Sequence, residues 1–172
     1  MDINFHIPDF INHCRLNLLL LSLMQQHPEY FRDGVKIASV FGAFPPSLWN
    51  GGRNTVGVVD DEIIKQVTKA FNSRGVPLRF TFTNPLIEEK HLGDPFCNKV
   101  MRMCDNGLNE VIVMSPILEE YIRKNYPSYR ITSSTCKEIR SADGLSAELE
   151  KDYHYVVPVS YTHLRAHETR RH

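Results

Sequence analysis

The chain lacks most of the features that mark a protein's business at a glance. Twenty Lys and Arg face twenty Asp and Glu, so there is no net charge. Binders of nucleic acid or anionic membranes normally carry a basic excess, and neither partner is indicated. The longest apolar block, residues 18–24, is interrupted by Ser22 and falls far short of the ~20 residues that a membrane-spanning helix needs. The opening MDINFHIPDF has no basic region followed by an apolar core and no small-residue cleavage site, so no secretory signal is expected and the cytoplasm is the expected location. The four cysteines, Cys14, Cys97, Cys104 and Cys136, include no Cys-x-x-Cys pair. Reduced thiols are expected rather than a disulfide framework, and no metal set is expected. No GxGxxG or GxxxxGK[ST] follows a strand-like run, so neither a dinucleotide fingerprint nor a Walker loop is present and the cofactor is left open.

What is present is ordinary globular material. The 172 residues, 42% apolar and 23% charged, suffice for one domain with a respectable core. The end of the chain is different. Residues 159–172, VSYTHLRAHETRRH, bring three of the eight histidines and three arginines after a segment of quite another composition. The string looks like a translated sequencing adapter, and a non-native, disordered tail is expected there. Without its three Arg and one Glu, 20 − 3 leaves 17 basic and 20 − 1 leaves 19 acidic residues.

The rest reads as alternating helix and strand. Residues 8–26 predict a helix with Pro8 in its first turn and Asp9 at its positive end. The runs 35–41, 78–83, 110–114, 129–133 and 153–157 predict five strands. Between them, helices are expected at 60–75, 86–104, 116–125 and 145–151. Crossovers long enough for a helix imply parallel pairing and right-handed βαβ units. The expectation for residues 1–158 is the N-terminal part of a single α/β barrel-like domain, a truncated TIM-barrel-like fold, with a five-stranded doubly wound sheet as the alternative. A half barrel leaves a strand edge and an apolar face uncovered, so self-association is expected.

The segments IPDF, HPEYF, SVFGAFPPSLWNGGR, TFTN, HLGDPFCN, VIVMSPILEEYI and YHYVV together resemble an uncharacterised bacterial barrel-like family, over nearly all of residues 7–157. The resemblance implies a longer native protein with a cysteine-rich region downstream. More distantly, the pattern is similar to the peptidase U32 group. That likeness implies either a hydrolase or a protein involved in RNA base modification.

In parallel α/β folds ligands meet the C-terminal ends of the strands. The loop 41–53, FGAFPPSLWNGGR, offers Trp49, Asn50, Gly51, Gly52 and Arg53: glycines permit close backbone approach and a guanidinium grips an anion with two bonds. Asn84 follows the next strand and doubles as an Asx-turn former before Pro85. His91, beside Glu88, Glu89 and Asp94, is a candidate acid or base. Cys97 lies in a family-like motif, and its spacing from Cys104 also fits packing. Ser115 opens a helix. Ser133, Ser134 and Lys137 form the densest run of hydroxyl and amine at any strand end, with pocket lining, capping and nucleophile as the readings in that order.

The combined expectation is an enzyme on which Arg53, Asn84, Ser115, Ser133 and Lys137 surround a small polar or anionic ligand, with Lys137, Ser133 and His91 as the chemical groups. The alternative is a peptide- or nucleic-acid-binding module that displays Trp49 and Phe44.

Overall fold

The structure is a computed structural model and describes residues 3–51 and 57–158. Gly52, Arg53 and the tail 159–172 lie outside the described residues.

A strand precedes the first helix. β1, Ile3–Pro8, alternates apolar Ile3, Phe5 and Ile7 with Asn4 and His6, the period of two that a strand requires. Helix α1 therefore starts only at Cys14 and runs to Gln26, not at Pro8 as the sequence predicted. Asp9 is in the left-handed region, with φ of 63°. Its carboxylate accepts from the backbone amides of Ile11 and Asn12, and so stabilises the reversal between β1 and α1. Asn17, buried inside α1, clamps the same corner by donating to the carbonyls of Pro8 and Asp9.

The chain continues through β2 Val35–Gly42, α2 Asp61–Asn72, β3 Leu78–Phe82, α3 Glu89–Leu92, α4 Pro95–Met103, β4 Glu110–Val113, α5 Pro116–Asn125, β5 Arg130–Ser133, α6 Ala142–Leu149 and β6 Tyr155–Val156. Local signals start these helices where they stand. Asp60 and Asp94 accept from the amides of Ile63 and Cys97, satisfying donors that a helix start leaves open. Pro95 and Pro116 occupy first-turn positions that need no N–H.

All six strands are parallel and lie in the order β1-β2-β3-β4-β5-β6. Each strand is added beside its predecessor, so there is no switch point and the doubly wound alternative is excluded. The sheet is strongly curled. Five strand intervals would set β1 and β6 about 24 Å apart in a flat sheet, yet the Tyr155 ring on β6 is 5.5 Å from His6 on β1. It also lies 4.8 Å from the guanidinium of Arg79 on β3. The result is a half-barrel of alternating βα units.

Register sorts the side chains onto two faces. Leu78, Phe80, Phe82, Val111, Val113 and Ile131 meet the helices, and form the core with Ile64, Phe71, Val100, Met101, Leu118 and Ile122. The concave face carries Ser39, Phe41, Arg79, Thr81, Glu110, Ile112, Thr132 and Tyr155 instead. No described helix is long and apolar enough to cross a membrane.

Candidate functional site

The loop after β2 folds inward. Trp49 is fully buried; its indole donates to the His91 carbonyl at 2.8 Å and packs edge-on against Phe82 and Tyr121. Phe44 is buried against Phe10 and Phe80. The expected aromatic display surface is therefore not formed, because burial of two large rings is worth more than their exposure. The same loop is pinned to the end of β3. Thr81 donates to Asn50 Oδ1 at 2.9 Å, Thr83 to the Gly51 carbonyl at 3.0 Å, and the Asn84 amide to the Leu48 carbonyl at 2.8 Å. A Cβ on Gly51 would sit 2.2 Å from the Thr83 carbonyl oxygen, so glycine is needed here for close backbone contact. Asn84 also accepts from the Leu86 amide, which makes the Asx turn. His91 caps α3, its Nδ1 accepting from the Glu88 amide at 3.0 Å. Ser115 is a buried N-cap residue of α5 whose side chain makes no cap bond.

Ser133 and Lys137 come together elsewhere. Ser133 faces the helices, like Val113 beside it, and donates at 2.5 Å to Oε1 of Glu148 on α6. The Lys137 ammonium reaches the same Oε1 at 2.7 Å, the Tyr153 hydroxyl at 2.7 Å and Glu119 Oε2 at 3.4 Å. A nitrogen that donates three hydrogen bonds keeps no lone pair for attack, so the geometry is that of a charge clamp. Burial pushes the Glu148 carboxyl up, but bonds from Lys137, Lys151 and Ser133 outweigh it and bring the group down to about 2. Burial and the bond to Glu119 push the Tyr153 phenol up. Ser134 accepts from the Cys136 amide as a cap. Cys97 is buried beside the Ser47 hydroxyl, and burial pushes its thiol up to about 12, so it carries no thiolate.

The expected residues thus fall into two groups. Lys137 lines a cleft of about 320 Å³ with Glu119, Arg123, Lys151 and Tyr153, and neither Asn84, Ser115 nor Ser133 lines it. The rim-loop residues and Asn84 are occupied in holding the loop to β3.

A second polar cluster went unrecognised in the sequence reading. Glu110, at the start of β4, is buried and shared. Its Oε2 accepts from Arg79 Nε at 2.8 Å and Nη2 at 2.6 Å, and its Oε1 from Arg130 Nη2 at 2.9 Å and His154 Nδ1 at 3.1 Å. Arg130 Nη1 lies 3.3 Å from His154 Nε2; a guanidinium can only donate, so this bond requires the neutral ring with its hydrogen on Nδ1. Burial lowers its pKa; Glu110 opposes that, and Arg130 and Arg79 add to it. The only available signal was a charge inside each of two otherwise buried runs, LRFTF and EVIV. One layer above, the Thr132 hydroxyl is completely buried and, among the described residues, is the one buried side-chain polar atom without a hydrogen-bond partner. A cleft of about 590 Å³ opens at the N-terminal ends of β5 and β6, lined by Arg123, Ser128, Arg130, Asp152, Tyr153 and His154 among others. Among the described residues, no three His, Cys, Asp or Glu side chains are placed to hold a metal ion.

No protein-family model matches the chain, and no curated protein or solved structure matches it either.

Proposed function

We propose that this half-barrel belongs to an enzyme whose small polar or anionic substrate lies against the concave face, within the hydrolase or RNA-modification classes that the distant peptidase U32 resemblance implies. The unpartnered Thr132 hydroxyl carries the reading. A buried hydroxyl without a bond costs about 1–3 kcal/mol. Natural interiors tolerate few such groups, and each calls for a reason such as a functional role. Arg79, Thr81 and Glu110 on the same face point the same way, since branched apolar side chains such as Ile112 dominate barrel interiors. The alternative of a peptide- or nucleic-acid-binding module has no support from the buried Trp49 and Phe44.

Thr132→Val keeps the shape and removes the hydroxyl. It is expected to raise the stability of the free protein by roughly 1 kcal/mol while cancelling the melting-temperature shift that a responsive member of a panel of carboxylates, phosphate esters and nucleosides produces in the parent. A panel without any responsive member, or an unchanged shift in the variant, sinks the reading.

A further inference from the structure

We propose that the cleft at the N-terminal ends of β5 and β6 is a binding site for a small anion, a carboxylate or phosphate group held between Arg130 and Arg123. It lies at the opposite end of the strands from the rim loops, and it stands independently of the concave-face reading.

Three observations carry it. The first is size: about 590 Å³ falls within the range of small-molecule sites. The second is charge. The charged lining of the cleft is two guanidiniums, Arg123 and Arg130, against one carboxylate, Asp152. Asp152 is fully exposed and 3.7 Å from Arg123, so it screens little. Behind the lining stand Glu119, paired with Arg123, Asp105, held by Ser128, and Glu110, which Arg130 shares with the buried Arg79.

The third observation is the weakness of what Arg130 now holds. Half of its fork is spent on Glu110, and Nη1 has the neutral ring nitrogen of His154 at 3.3 Å. A charged oxygen makes a shorter and stronger bond than that. Arg130 is partly exposed, with 45% of its side chain accessible, and Arg123 is 36% accessible, so both reach a ligand entering from solvent. An anion bound there adds negative charge beside His154, whose ring also faces Glu110, Arg79 and Tyr155. Binding therefore favours the imidazolium.

The test is a pair of titrations followed by NMR on the full chain, one with inorganic phosphate and one with malonate. The expected result is saturable movement of the Arg130 and His154 signals, with His154 titrating at higher pH in the saturated protein. Response to phosphate alone assigns a phosphate ligand, and response to malonate alone a carboxylate. Arg130→Gln is expected to weaken binding about 10- to 100-fold. If that variant fails to fold, Arg123→Gln, whose arginine pairs with Glu119 and Asp152 and lies over the Tyr153 ring, is expected to weaken it several-fold. No saturation with either anion, or equal affinity in parent and folded variant, overturns the proposal.

Discussion

Replacing Glu110 by Gln probes the polar layer that closes the bottom of the half-barrel. The side chain is 2% exposed and its partner Arg79 4%. Gln keeps the volume and an acceptor but loses the charge that holds two guanidiniums. Breaking a buried ion pair from one side typically costs 3–5 kcal/mol, because the remaining charge stays buried without compensation. Arg130 loses a partner too, but it is half in water and adds little. The expected loss is about 4 kcal/mol, which at a urea m-value of about 2 kcal/mol/M moves the unfolding midpoint by about 2 M. Buried Trp49 supplies a fluorescence probe, and coincidence with circular dichroism checks two-state behaviour. The double variant Arg79→Met, Glu110→Leu is expected to regain most of the loss, since a buried pair and its apolar replacement are often of similar stability. A loss below about 1 kcal/mol in Glu110→Gln would refute the claim that this carboxylate neutralises a buried cation.

Acid is expected to act on the same layer. Burial and the neighbouring Arg79 lower the pKa of His6, and burial with Arg130 and Arg79 lowers that of His154. Both folded values lie below the unfolded 6.5, so this stability is complete above about pH 6.5 and is lost as pH falls below it. Urea midpoints at pH 7.5 and 5.5 are expected to show the loss, and His154→Gln to lessen it; a flat profile contradicts the assignment. Glu148, held at about 2, adds a separate loss only between about pH 4.5 and 2. Gly51→Ala, which places a Cβ against the Thr83 carbonyl, is expected to cost at least about 2 kcal/mol. Amide exchange in the loop after β2 and at Asn84 is expected to quicken, and unchanged protection would show that the loop is not pinned there.

Local chemistry made much of the architecture legible. The runs of β2 to β5, the capping acids Asp60 and Asp94, and the left-handed Gly75 after α2 are all decided within a few residues, and their alternation implies parallel pairing. β1 was also legible as a period-two run, but Pro8 and Asp9 resemble a helix start, and the pairing of Ile3–Pro8 with β2 decides against that reading. The site residues depended on the fold much more. Whether Ser133 meets a ligand or Glu148 follows from which face of β5 it occupies, and that face follows from the register with β4. Trp49 looked like a rim residue until the loop turned in on Phe82 and Tyr121. The Glu110 cluster draws its members from three strands and the turn before the last, with Arg79 and Glu110 31 residues apart. The sequence by itself determined the elements, their alternation and the turns, because these rest on contacts a few residues long. Only the tertiary structure decided which charges share a carboxylate and which hydroxyl is left without a partner, because the curl of the sheet brings side chains of β1 and β3 against the Tyr155 ring of β6.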